Sequence, residues 1–171
     1  LLEKAQINFR QLDKVLISLG PGSFTGTRVG LSAARAIATS LNIEIFGYSN
    51  FFSIIQQASA QGILNRANEV NILIQATNSE LYYQKYFADR NIFGEMKVMH
   101  LEEAMQLESK KIIQLGISKQ LQKHKNFVQV WPKAQSFLTI KDDDISSYFF
   151  REPNLLPIYI KQHYAYKSRE Q

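Results

Sequence analysis

An apolar run, Val15-Leu16-Ile17-Ser18-Leu19, breaks into Gly20-Pro21-Gly22-Ser23-Phe24-Thr25-Gly26-Thr27-Arg28-Val29-Gly30, and small and apolar residues then continue to Leu41. Buried strand, glycine-rich turn, helix is the order this pattern predicts, and it constrains the fold more than any other stretch. Gly20, Gly22 and Gly26 permit dihedrals and close approaches that side chains forbid. Pro21 removes one donor and fixes one torsion. Such a turn meets a phosphate, another backbone or a helix end.

Spacing narrows the choice. A Walker loop requires Gly-Lys-Ser/Thr, whereas Gly26 is followed by Thr27-Arg28. A dinucleotide fingerprint requires two residues between its last glycines, whereas Gly22 and Gly26 enclose three. A generic anion site at the helix start stays open beside a purely structural turn, because N–H groups and the helix dipole point there. Ser23 lacks the flanking glycines of a hydrolase elbow. His100, His124 and His163 stand far apart, without the spacing of a metal motif. Glu102-Glu103 and Asp142 to Asp144 read as solvated acidic runs rather than an acid–base dyad.

The helix after the turn is expected to be capped by Thr25 or Thr27. At about 100° per residue, Val29, Gly30, Leu31, Ala33, Ala34, Ile37, Ala38 and Leu41 sweep an apolar arc of roughly 200°. That is wider than one sheet covers, so the helix is expected to be covered on two sides. A strand from Ile43 to Phe46 and an N-cap at Ser49 lead to a second helix over Asn50 to Asn65, striped by Phe51, Ile54, Ile55 and Ala58. Between Ala36 and Asn65 the only charged residue is Glu44. At the chain's 20% charged content about six are expected there. Two explanations fit: a helix pair buried in its own domain, or a face kept for a partner. The docking set on the second explanation is Val29, Ser32, Ala33, Ala36, Ile37, Phe52, Ile55 and Gln56.

Elsewhere the run Leu1 to Phe9 suggests the end of a helix. Residues 66–69 mark a boundary between a first lobe, 1–68, and a second, 69–171. Strands are expected at Val70 to Ala76 and Leu81 to Phe87 around a Thr77-Asn78-Ser79-Glu80 hairpin. Others are expected at Lys97 to His100, Lys111 to Leu115 and Phe127 to Trp131, with short helices over Leu101 to Leu107 and Ala134 to Ile140. Lys161, His163, Lys167 and Arg169 form a thin basic tail that either is solvated or touches RNA phosphate. The 171 residues, 45% hydrophobic, are those of a globular chain. The absence of cysteine excludes a disulfide framework, a thiolate metal site and a cysteine nucleophile. With no apolar run of membrane-spanning length and no secretory leader, a cytoplasmic location without membrane contact is expected.

The segment Gly20 to Gly30 closely resembles the signature G-P-G-S-F-T-G-x-R-[IV]-G of the bacterial TsaB (YeaZ) family of tRNA threonylcarbamoyladenosine biosynthesis proteins. Gly47-Tyr48-Ser49 resembles the family's G-V-S. Ile74 to Tyr82 resembles I-D-A-R-x-G-E-V-Y, and Pro157-Ile158-Tyr159-Ile160-Lys161 resembles P-x-Y-L-R. The resemblance implies an α/β, actin/Hsp70-like (ASKHA, RNase H-like) fold of two lobes. Family members carry a strand and hairpin ahead of the position of Leu1, so the first lobe is expected to lack those strands. It also implies a non-catalytic subunit that docks through the first two helices onto the catalytic paralogue TsaD, with the ATPase TsaE as a further partner. tRNA is then met indirectly, and self-pairing through the same face gives a homodimer. No cofactor of its own is implied, only ATP or ADP at the interface of the complex. Gln75, Thr77 and Ser79 stand where the family has Asp, Arg and Gly, and Lys161 replaces its Arg, which weakens any charge network at that hairpin. The alternative on the same fold is a stand-alone nucleotide-binding or hydrolytic, glycoprotease-like enzyme.

Overall fold

The computed structural model describes residues 2–66, 69–107, 112–122, 127–137, 140, 148–151 and 153–160. His124, Asp142 to Asp144 and the basic tail of Lys161, His163, Lys167 and Arg169 lie outside the described residues. The chain opens not on a helix but on a turn and a single 3-10 turn, Phe9–Gln11. Asn8 caps it by accepting from Arg10 N, and Gln11 Oε1 accepts from Asn8 N. These polar side chains satisfy the backbone locally, so no longer helix is needed.

Two sheets follow. In the first, β1 (Lys14–Ser18) pairs in parallel with β2 (Glu44–Tyr48). Helix α1 (Phe24–Leu41) makes the crossover. The N-cap is Ser23, not Thr25 or Thr27, because its Oγ accepts from Gly26 N at 3.2 Å, the geometry of a capping serine. Asn42, in the left-handed conformation, ends the helix. Leu31, Ala34 and Ala38 form its buried stripe, with Leu31 against Leu19 and Leu155. A Cβ at Gly30 would lie 3.6 Å from Ile17 Cδ1, so α1 rests close on β1.

The second sheet has the order β5-β4-β3-β6-β7. Strands β3 (Glu69–Gln75), β4 (Glu80–Phe87) and β5 (Ile92–His100) form an antiparallel meander. After the short α3 (Leu101–Met105), β6 (Ile112–Ile117) pairs in parallel with β3, and β7 (Phe127–Gln129) in parallel with β6. Strand β5 begins at Ile92, ahead of the expected Lys97, because a register shift between Gln84 and Tyr86 lets pairing resume at Phe93 and Ile92.

Helix α2 (Asn50–Ala60) joins the two sheets. Ser49 caps it as expected, its Oγ accepting from Phe52 N at 3.1 Å. Phe51, Ile54, Ile55 and Ala58 pack with Val70, Ile72, Ile74 and Tyr86 in one core cluster. Phe52 turns the other way, into a cluster with Phe46 and Phe149. Burial of such side chains stabilises by about 1.5–3 kcal/mol each. This core crosses residues 66–69, the stretch where the sequence suggests a boundary.

Gly116 occupies φ +146°, and a Cβ there would sit 1.7 Å from the Leu73 carbonyl oxygen. Leu73 and Gly116 are register partners in the parallel β3–β6 ladder. Gly116→Ala must therefore break that pairing, and we expect a loss of about 2–4 kcal/mol in urea unfolding; an unchanged midpoint would refute the placement.

Burial raises the Tyr48, Tyr83 and Tyr86 phenols above the ordinary 10.0, desolvation being the largest cause for each. Tyr83 also donates to Asn71 Oδ1 at 2.9 Å. The folded chain thus holds these protons more tightly than the unfolded one. Their contribution is complete below pH 10 and is lost as pH rises through the raised values. Phenolate absorbance during alkaline titration should show three tyrosines ionising late, together with unfolding.

Candidate functional site

The glycine turn is held from below by the first turn of α2. Asn50 N donates to Gly20 O at 2.6 Å, and its Nδ2 donates to Pro21 O at 2.9 Å. Ser18 Oγ donates to Asn50 Oδ1 at 2.6 Å. Leu19 N donates to Tyr48 O and Ile158 N to Leu19 O, both at 2.8 Å, so β2 and the C-terminal segment close the turn from two sides. Gly20 sits at φ +93°, which explains a glycine there. At Gly22 a Cβ would stand 3.4 Å from Asn50 Nδ2, so Gly22 is crowded but not strained.

Arg28, the one cation of the turn, is committed elsewhere. Its guanidinium lies 3.8 Å from the Phe24 ring centroid and 5.6 Å from that of Tyr159. Its Nε donates to Tyr159 Oη at 2.7 Å. The Ser23 hydroxyl takes the Gly26 N–H. The Gly26 N–H and the Arg28 Nε, two of the donors at this helix start, are therefore engaged inside the chain. A hollow of about 80 Å³ beside the turn is lined by Gly22, Phe24, Thr27, Tyr82, Pro157 and Ile158 among others, and none of these is charged. Thr25 is exposed on the first turn of α1.

The expected docking set divides. Val29 is 63% exposed, and Ser32, Ala33 and Ala36 are exposed in line with it on α1. Ile37 is half-buried. On α2, Phe52 and Ile55 are each only 3% exposed and serve the core, and Gln56 alone reaches the surface in part. Burial within the chain thus accounts for the uncharged residues of α2. Helix α2 is buried in its own chain, whereas α1, expected to be covered on two sides, is covered on one by the described residues. The reason is geometric: α2 lies between the sheets and not alongside α1.

Tertiary structure adds Asn50, Ser18 and Tyr159 to the site. Asn50 reads in sequence only as the residue after an N-cap, and Tyr159 is 131 positions from Arg28. Among the described residues no group of three or more His, Asp or Glu is placed to hold a metal ion. No described helix is long and apolar enough to cross a membrane. Asn50→Ala should cost about 1–3 kcal/mol by orphaning two partners, and should speed amide exchange through Gly20 to Gly26 in hydrogen-exchange mass spectrometry. Unchanged protection there would mean the turn is held by other contacts.

Comparison with known proteins locates this arrangement. The profile of the TsaD family, tRNA N6-adenosine threonylcarbamoyltransferase, matches residues 1–148. The tRNA threonylcarbamoyladenosine biosynthesis protein TsaB of Buchnera aphidicola subsp. Schizaphis graminum is 27% identical over 148 residues, 82% of this chain and 69% of that protein. TsaB of Haemophilus influenzae is 31% identical over 97 residues, 56% of this chain and 40% of its own. The crystal structure of an uncharacterized Pseudomonas aeruginosa protein with similarity to peptidase YeaZ superposes with a TM-score of 0.70 at 20% identity, covering 94% of this chain and 79% of that one. YeaZ from Pseudomonas aeruginosa gives 0.69 at 21%, covering 94% and 80%. At such identity the likeness concerns the fold, an α/β fold of the actin/Hsp70-like kind.

Proposed function

We propose, from the premise that the chain belongs to the TsaB/YeaZ family, that it serves tRNA threonylcarbamoyladenosine biosynthesis as a non-catalytic subunit. It docks through α1 onto a TsaD-type catalytic paralogue and steadies that partner in its active arrangement. The ATPase TsaE joins the assembly, tRNA is met through the complex, and any ATP or ADP is held where subunits meet.

One observation carries the reading: the outer face of α1 is exposed yet made of Val29, Ser32, Ala33 and Ala36, without a charge among them. A solvated helix face normally displays charges, whereas interface cores exclude them. Small side chains let a second helix approach closely, so the face suits a helical partner. Arg28, Phe24 and Tyr159 lie at the N-terminal end of the same helix, where a clamped arginine and two partly exposed rings have the makings of an interface anchor.

The decisive variant is Ala33→Glu. Because Ala33 is exposed, the isolated chain should melt as before. Co-purification with the TsaD-type partner should weaken at least about thirtyfold, since a carboxylate would be buried against an apolar face. If partner binding survives unchanged, α1 is not the docking face. Self-association of the wild type that is lost in the same variant would assign the face to a homodimer instead.

A further inference from the structure

At the N-terminal end of α1 the chain orients a guanidinium without neutralising it. Three arginines among the described residues lie over aromatic rings. Arg90 lies over Phe87 at 4.5 Å and pairs with Asp89 at 3.8 Å. Arg151 lies over Phe46 at 4.6 Å and pairs with Glu44 at 3.6 Å. Arg28 lies over Phe24 at 3.8 Å, yet it pairs with no carboxylate among the described residues. The sequence explains why: between Asp13 and Glu44 there is no acidic residue.

Arg28 is exposed, and its Nε is spent on Tyr159 Oη at 2.7 Å. An arginine offers five N–H donors in a planar fork, so the bond at Nε leaves the end-on pair, Nη1 and Nη2. Neither donates to any described residue. The ring beneath and the hydroxyl beside it hold the plane, so little side-chain freedom remains to be lost on binding. Arg28 also stands one helical turn ahead of Ser32, at the border of the uncharged face of Val29, Ser32, Ala33 and Ala36.

We propose that Arg28 is the charged anchor of the docking face, its Nη1 and Nη2 taking an aspartate or glutamate of the partner protein in a bidentate fork. This rests on the docking role given to α1. Charge complementarity names the occupant. A cation carried into an apolar contact needs a carboxylate there, because its lost hydration is otherwise uncompensated. A second copy of this chain brings none: α1 holds Arg28 and Arg35 and no acid, so self-pairing through this face sets cations against an acid-free helix. The carboxylate belongs to a different protein, beside small or apolar residues that cover Ala33 and Ala36.

Calorimetry with the TsaD-type partner should show Arg28→Glu binding about a hundredfold more weakly and Arg28→Lys, which keeps the charge but not the fork, about fivefold. Among Asp→Arg and Glu→Arg variants of the partner, one should restore most of the affinity for Arg28→Glu, a rescue that a merely structural role of Arg28 would not give. In the Arg28→Lys complex a carbodiimide should join the new amine to that same carboxylate, located by mass spectrometry. Ala33→Glu separates the two readings. If it weakens binding and Arg28→Glu does not, α1 docks and the anchor is refuted; if neither weakens it, the docking face itself falls. Loss of tRNA or ATP binding in Arg28→Glu with partner binding intact would put a phosphate at Arg28 and overturn the proposal.

Discussion

The first residue of α2 ties the molecule together. Asn50 uses its backbone N–H and both ends of its amide on Gly20, Pro21 and Ser18, three residues of the strand-to-turn passage. Those bonds set where the glycine turn stops and where α2 starts, and so fix the direction in which each helix leaves. From that point α2 runs into the space between the two sheets and supplies apolar residues to both sides. Without the tie, the turn would have backbone carbonyls to satisfy and the wedge of α2 would have no fixed entry angle.

Having α2 inside forces α1 outside. Leu31, Ala34 and Ala38 are the residues α1 buries, and its two arginines reach Tyr159 and the Leu155 carbonyl beside that stripe. The remaining small residues face outward, where a charged face would serve a monomer better. The same internal commitment reaches Arg28, whose Nε and ring contact are spent on Tyr159 and Phe24. The glycine turn is therefore a joint tied into the fold through Asn50, Ser23 and Arg28, and the helix it launches keeps an exposed, uncharged face.

Local signals were strong where backbone chemistry is local. The β1–turn–α1 passage, the Ser49 cap and the β3–β4 hairpin are legible because alternation, glycine spacing and capping residues act over a few positions. The cap of α1 is Ser23 and not Thr25 or Thr27, because three hydroxyl residues crowd one turn and only the backbone path chooses among them. The early start of β5 was hidden by the register shift opposite Tyr86, which has no signature in composition. In the docking set, Phe52 and Ile55 looked equivalent to Val29 and Ala33 because lack of charge marks a covered surface without saying what covers it.

By itself the sequence determined that an uncharged helix pair follows a glycine turn, because periodicity and charge depletion are written in neighbouring residues. It also determined the family, since the turn signature is long and contiguous. Only the tertiary structure decided which helix of the pair is buried, and that Arg28 and Asn50 are engaged by residues far along the chain. The physical reason is common to all of these: burial and hydrogen-bond partnership depend on what arrives from distant segments, and periodicity within one segment carries no record of that.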